Sequence, residues 1–260
     1  MPDTAPNTRW LLLRGLVRER RHWGDFPKQL AARTGHGVVT LDLPGVGTER
    51  ARPSPTSIAA IAADLRERWL VARAEGGPDD SWRLFAPSLG GMIALAWAET
   101  HPDDFRGVAV CNTSARDLAG LFDRFSFEAI RTLLQALPRS GVAREAHILR
   151  LVSNTPHGVA HADRFATYSA ELPVGTDVLA RQMWAGSRAT APQSLATPLL
   201  VLASEGDRLC HPRASRALAA RLGAPLEVHP DAGHDLPLDD PDWVVDRLAA
   251  WVGQPALHPR

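Results

Sequence analysis

The chain has 260 residues, of which 45% are hydrophobic and 22% are charged, a balance typical of a soluble globular protein. Its 29 basic and 29 acidic residues cancel, which argues against a nucleic-acid-binding protein because such proteins usually carry a basic excess. No apolar stretch approaches the roughly 20 residues of a membrane span, and the polar segment 1–8 has no apolar core of a signal peptide.

Short apolar runs bounded by turn residues predict six buried β-strands. The runs are Trp10–Leu13, Val38–Leu41, Trp82–Ala86, Val108–Cys111, Leu199–Ala203 and Leu226–Val228. Helical patterns lie between them, for example over residues 57–73, where Thr56 or Ser57 can cap the helix, over 91–100 and from 241 onward. Strands that alternate with helices pair in parallel. We therefore expect an α/β fold with a doubly wound, mainly parallel sheet of about six strands.

The region from 116 to 194 breaks this alternation, because it contains helical patterns and no convincing strand. The predicted helices are Leu118–Leu137, Val142–Val152 and Val178–Trp184. A connecting loop of this length is uncommon in a compact domain. We expect a helical cap, residues 115–194, inserted into a core formed by residues 1–114 and 195–260.

The segment from Phe85 to Gly91 follows a predicted strand and opens a predicted helix, as the nucleophile turn of a serine hydrolase does. Ala86 stands where that turn usually has glycine, and Gly90 lets the helix start close to the strand. The turn would expose Ser88 at the carboxyl edge of the sheet, where ligands bind in open α/β folds. The ordinary alternative for Ser88 is a helix-capping serine.

A serine hydroxyl needs a base to become a good nucleophile, and two further loops supply candidates. Asp207 follows the fifth predicted strand and His234 follows the sixth. The chain order Ser88, Asp207, His234 is the order expected of a catalytic triad on this fold. Glu205 remains an alternative to Asp207 because it lies in the same loop, and a surface loop histidine remains the alternative for His234.

Two further segments complete the pattern: residues 42–47 read DLPGVG after a strand, and residues 14–16 read RGL after another. With the triad candidates, they resemble the α/β-hydrolase superfamily, and most closely its small, cap-bearing carboxylesterase-like members. The resemblance extends over about residues 10–251. The sequence departs from the family in lacking its first two strands and in carrying Arg14 where histidine is usual. Arg14 is expected either to bind a substrate carboxylate or to form a structural ion pair.

The resemblance implies that the backbone N–H groups of Leu16 and Leu89 hold an oxyanion. It also implies a serine hydrolase that needs no cofactor. We expect its substrate to be a small to medium carboxylic ester with an apolar acyl part, because the predicted cap is apolar and the chain has no charge excess. A thioester, lactone or amide substrate stays open. So do a carbon–carbon bond hydrolase, a cofactor-free lyase and a non-catalytic ligand-binding protein. Cys111 and Cys210 are too few for a disulfide framework, so we expect a cytoplasmic protein with inert thiols.

Some remaining residues have weaker functional interpretations. His157 and His161 are four positions apart, with Asp163 nearby, and could share a metal on a helix. Pro156 and Gly158 argue against a helix there, so we expect no metal site. Aromatic side chains in the insertion are expected to pack within it or to line an apolar pocket. They are Phe122, Phe125, Phe127 and Trp184.

Overall fold

The computed structural model describes residues 8–75, 80–120, 124, 126–136 and 138–253. The strands are β1 (Thr8–Leu13), β2 (Gly37–Leu41), β3 (Ser81–Pro87), β4 (Gly107–Cys111), β5 (Leu199–Ser204) and β6 (Leu226–His229). Within the described residues they form one sheet in the order β2-β1-β3-β4-β5-β6, and every neighbouring pair is parallel. The predicted six-stranded sheet is confirmed, with each strand longer by one or two residues than its apolar run.

The helices surround this sheet. They are α1 (Phe26–Thr34), α2 (Ile58–Ala74), α3 (Leu89–Thr100), α4 (Phe127–Ala136), α5 (Gly141–Val152), α6 (Pro156–Val159), α7 (Ala162–Glu171), α8 (Thr176–Arg188), α9 (Arg213–Leu222), α10 (Leu236–Asp239) and α11 (Pro241–Val252). Two 3₁₀ turns, Arg20–Trp23 and Gly47–Glu49, lie in the loops after β1 and β2. Ser57 caps α2 by accepting a hydrogen bond from the Ala60 N–H at 3.2 Å.

Alternating side chains of the central strands face two apolar layers. Leu11 and Leu13 of β1 point into a cluster that includes residues of α2, α3 and α9. Trp10 and Leu12 point the other way, into a cluster with residues of α1 and α11. The sheet is therefore buried on both faces, as parallel sheets normally are, and its carboxyl edge is left to bear the site.

Helices α4 to α8 lie between β4 and β5, where the sequence predicts a cap. Leu149, Ala162 and Phe165 form a small apolar cluster of their own between α5 and α7. Helix α8 also joins the main core, because Val178 and Ala185 belong to the cluster under α2 and α3. The division into a core (1–114 and 195–260) and a cap (115–194) stays a prediction.

Two predictions about the insertion were wrong in detail. Helix α4 begins at Phe127, whereas the predicted helix began at Leu118, which lies in a turn closed on Ala115. Phe127 and Trp184 do not pack within the insertion: they lie on outward helix faces and are 75% and 56% exposed. Phe122 and Phe125 lie outside the described residues. Among the helices described, none combines the length and apolar character that crossing a membrane requires.

Candidate active site

Ser88 occupies the turn between β3 and α3. Its φ is +55°, in the left-handed region that a side-chain-bearing residue rarely adopts, and its N–H donates to the Cys111 carbonyl at 2.8 Å. A Cβ added at Gly90 would lie 2.7 Å from the Arg14 carbonyl oxygen, so only glycine lets α3 start this close to β1. The Ser88 hydroxyl makes no capping bond to α3. The geometry therefore favours a presented hydroxyl over a helix cap.

The structure brings Ser88, His234 and Asp207 together in one chain of hydrogen bonds. His234 Nε2 lies 2.9 Å from Ser88 Oγ, and His234 Nδ1 lies 2.7 Å from Asp207 Oδ2. His234 and Asp207 are buried, whereas Ser88 is partly exposed. An imidazole between a hydroxyl and a buried carboxylate can accept the hydroxyl proton while the carboxylate holds its orientation.

Asp207 and Glu205, both candidates for the acid, face different partners. The second oxygen of Asp207, Oδ1, accepts the N–H groups of Leu209 and Cys210 at 2.8 and 2.9 Å. Glu205 points away, its side chain 51% exposed and paired with Arg216 at 2.5 Å. Asp207 is thus the carboxylate that reaches the imidazole. The two N–H groups of its own loop hold its other oxygen in place.

The surroundings of His234 control its proton affinity. Burial alone would lower the pKa of His234, but the charge and hydrogen bond of Asp207, with the charge of Asp235, raise it above its ordinary 6.5. The positive charge of Arg14 acts against this rise. A raised pKa makes the neutral form of the imidazole a stronger base towards the Ser88 hydroxyl.

The two residues predicted to supply oxyanion donors, Leu16 and Leu89, lie in segments next to Ser88. Leu89 is the first residue of α3, so its N–H has no acceptor inside the helix. Leu16 follows Gly15, which is so close to the nucleophile that an added Cβ would be 3.1 Å from Ser88 Cβ. Within the described residues, the Leu16 N–H donates to no other group. The role of these two N–H groups as oxyanion donors stays a prediction.

Arg14 does not point a free guanidinium at a substrate. It donates two hydrogen bonds to the carboxylate of Asp235, at 2.5 and 3.2 Å, and both side chains are buried. Its guanidinium lies 4.7 Å from the ring centre of Trp23. Burial alone would raise the pKa of Asp235, but Arg14 holds it below the ordinary 3.8. The structural ion pair was one of the two expectations for Arg14.

Sequence reasoning missed Asn112, which braces two loops of the site. It follows β4 with a φ of +47°, a conformation that asparagine tolerates better than most residues. Its Oδ1 accepts the Ser204 N–H at 2.8 Å, and its Nδ2 donates to the His234 carbonyl at 2.9 Å. The asparagine thus links the end of β5 to the loop that carries the imidazole. Its place directly after a strand was the only available signal.

The other weak candidates do not join this site. His157 and His161 lie on and just after α6, and their Nε2 atoms are 3.4 Å apart. In the part of the chain that the structure describes, no three His, Cys, Asp or Glu side chains are grouped so that they could hold a metal ion. Cys111 and Cys210 are buried and unlinked, and burial, with the charges of Asp207 and Asp235, raises the pKa of the Cys111 thiol.

The chain as a whole is similar to known proteins. The family model for serine aminopeptidase, S33, matches residues 5–241. The chain belongs to this α/β-hydrolase family. The predicted α/β-hydrolase relationship, and with it the prediction of a hydrolytic enzyme, is confirmed.

One curated relative and two solved structures illustrate what this α/β-hydrolase is similar to. Pimeloyl-[acyl-carrier protein] methyl ester esterase of Aromatoleum aromaticum (strain DSM 19018 / LMG 30748 / EbN1) is 30% identical over 247 residues, which cover 85% of this chain and 91% of the relative. A thermophilic esterase from Thermogutta terrifontis has a TM-score of 0.72 at 22% identity, covering 96% of this chain and 90% of its own. A 2-hydroxy-6-oxo-6-phenylhexa-2,4-dienoate hydrolase from Rhodococcus sp. strain RHA1 has a TM-score of 0.71 at 19% identity, covering 95% and 91%. At these identities the two structures show the shared fold alone.

Proposed function

We propose that this α/β-hydrolase is a serine esterase that cleaves a small to medium carboxylic ester through an acyl-enzyme. The observation that carries the proposal is the hydrogen-bonded chain from Ser88 Oγ through His234 to Asp207. A relative 30% identical to this chain is a methyl ester esterase, which supports an ester as the bond cleaved. Thioesters and lactones are the next candidates, because the same attack serves them.

The first half of the reaction forms the acyl-enzyme. His234 Nε2 takes the proton from Ser88 Oγ as the oxygen attacks the ester carbonyl carbon. The carbonyl oxygen becomes negatively charged and is held by the N–H groups of Leu16 and Leu89. Removing one such donor typically raises the activation free energy by about 3–4 kcal/mol. The tetrahedral intermediate then expels the alcohol, which leaves with the proton that His234 carries.

The second half returns the enzyme to its starting state. Water enters where the alcohol left, gives a proton to His234 and attacks the acyl carbon. The new intermediate releases the carboxylic acid as Ser88 Oγ recovers its proton from His234. Asp207 stays ionised throughout and stabilises the imidazolium that forms twice in the cycle.

An apolar acyl part fits the surroundings of the nucleophile. Helix α8 lies against the start of α3 through Gly186, where an added Cβ would be 3.0 Å from Leu89 Cδ1 and 3.7 Å from the Met92 sulfur. Ligand pockets are in general lined mainly by apolar side chains, so apolar groups packed next to Ser88 support an apolar acyl part. We also propose a small-molecule substrate with no nucleic-acid partner and a cytoplasmic location, which the two unlinked cysteines support.

A fluorophosphonate probe followed by intact-protein mass spectrometry tests the nucleophile. We expect one adduct on the wild type, none on Ser88→Ala, and an unchanged adduct on Ser140→Ala, which alters an exposed serine without a capping bond. An ester panel graded by acyl length, with thioesters, lactones and dicarbonyl compounds, then identifies the bond. A folded wild type without an adduct would contradict the proposal. Turnover of dicarbonyl compounds alone would favour carbon–carbon bond hydrolysis.

A further inference from the structure

Gln182, in the middle of α8, is completely buried and connects two loops of the sheet. Its Oε1 accepts the N–H of Val17 at 3.0 Å. Its Nε2 donates to the carbonyl of Pro44 at 3.4 Å. One amide from the predicted cap therefore holds backbone groups of the loops that follow β1 and β2.

Val17 is an unusual residue for this attachment. Its φ is +47°, in the left-handed region, which is a true outlier for a β-branched side chain. Such a conformation persists only where the surroundings fix it. The Val17 N–H is one peptide beyond that of Leu16, so a bond that fixes Val17 also restricts rotation about Leu16. Gln182 is the described side chain that makes this bond.

The same helix contacts the second predicted oxyanion donor. Gly186 lies one turn after Gln182 and packs over Leu89. At the other end, Val178 lies over Gly45, where an added Cβ would be 2.8 Å from both valine methyl groups. Helix α8 is thus seated against the loops of β1 and β2 and against the start of α3.

We propose that Gln182 is a positioning residue for the oxyanion hole, through which α8 holds the Leu16–Val17 segment in its active conformation. The proposal rests on the proposed esterase function. It gives the cap a role beyond covering the substrate: the hole is complete only while α8 is seated. Movement of α8 away from the sheet would break the hydrogen bond to the Val17 N–H. Val17 could then leave its disfavoured left-handed conformation.

The test compares Gln182→Met, which keeps the length of the side chain but removes both hydrogen bonds, with Met183→Leu, a change at a neighbouring, partly exposed position. With 4-nitrophenyl butyrate we expect Gln182→Met to lower kcat about 100-fold, on the scale of a lost oxyanion donor, with little change in KM. Met183→Leu should match the wild type.

Hydrogen exchange provides a readout that does not depend on turnover. In Gln182→Met the Val17 amide should exchange about tenfold faster than in the wild type, while amides of β3 stay protected. A Gln182→Met protein that melts earlier but keeps wild-type kcat and wild-type Val17 exchange would overturn the proposal. A wild type without turnover or adduct would reject the esterase function instead, and the Val17 exchange would still show whether Gln182 holds the loop.

Discussion

Arg14 and Asp235, 221 positions apart in the sequence, form a buried ion pair beside the nucleophile. Arg14 comes directly before Gly15 and Leu16 of the oxyanion loop, and Asp235 comes directly after His234. The pair therefore ties the loop that is expected to stabilise charge to the loop that carries the base. The family resemblance leads us to expect a histidine at position 14, and this chain has there an arginine with a buried charged partner.

Removing one member of the pair should be costly. Arg14→Met leaves the Asp235 carboxylate buried without its partner, so the free energy of unfolding should fall by about 3–5 kcal/mol in urea titrations. The double variant Arg14→Met/Asp235→Leu should recover much of this loss because no buried charge remains. Arg33→Met is the matched control, since its pair with Asp246 is exposed and should contribute less than about 1 kcal/mol. Equal losses for Arg14→Met and Arg33→Met would contradict the argument.

The two acidic candidates should separate sharply in activity. Asp207→Asn keeps the size of the side chain but removes the charge that stabilises the imidazolium, so kcat should fall about 10⁴-fold. Glu205→Gln should stay within about twofold of the wild type, because its exposed pair with Arg216 lies away from His234. Steady-state kinetics on one ester decide the matter, and the reverse ranking would make Glu205 the acid.

The rate should rise with pH through a midpoint above 6.5. Burial acts to lower the pKa of His234, but Asp207 and Asp235 raise it above that value, and only the neutral imidazole can take the Ser88 proton. A profile of kcat/KM against pH gives the midpoint for the free enzyme. Asp207→Asn should move it downward. A wild-type midpoint below 6.5 would show that burial dominates.

The same shift predicts how stability depends on pH. A histidine whose pKa is raised by folding stabilises the fold below its unfolded pKa, and this contribution is lost as pH rises through the folded pKa. The free energy of unfolding of the wild type, relative to His234→Gln, should thus be larger at about pH 5.5 than at about pH 9. Asp235 acts in the opposite direction: its contribution is present above its ordinary 3.8 and is lost as pH falls through its lowered pKa.

Asn112 should matter to both stability and rate. Asn112→Asp keeps the acceptor for the Ser204 N–H and tolerates the positive φ, but it loses the donor to the His234 carbonyl and buries a charge. We expect unfolding to become easier by about 1–3 kcal/mol and kcat to fall, since the His234 loop loses its brace. Wild-type kcat in Asn112→Asp would show that the loop is held without the asparagine.

The sequence was informative wherever one local pattern decides the structure. Apolar runs locate the strands because both faces of a parallel sheet are buried, and the turn at Ser88 requires glycine at position 90. The choice between Glu205 and Asp207 depends on where the β5 ladder stops. The Glu205 N–H still donates to the His229 carbonyl just beyond the end of β5, and its side chain is exposed and pairs with Arg216. The local sequence does not indicate which of the two carboxylates faces His234.

Contacts between distant segments could not be predicted from sequence. Gln182 meets Val17 across 165 positions, and nothing in the α8 sequence distinguishes a glutamine bound to a loop from one facing solvent. For Arg14 the sequence likewise allows either a substrate-binding role or a structural ion pair. Only the position of Asp235 in the fold decides between the two. Such pairings depend on how helices seat on the sheet, which a single sequence does not specify.

The order of strands in the sheet has a consequence for how the protein is made. Ser88 and His234 are 146 positions apart, and β6, whose loop carries the histidine, lies at the edge of the sheet beside β5. During synthesis the segment with Ser88 leaves the ribosome long before its base does. Contacts of such long sequence separation form slowly because closing the intervening chain costs entropy. If Ser88 and His234 act as proposed, the nascent chain carries an unactivated serine until β6 docks on β5, and hydrolytic activity begins only when the fold is complete.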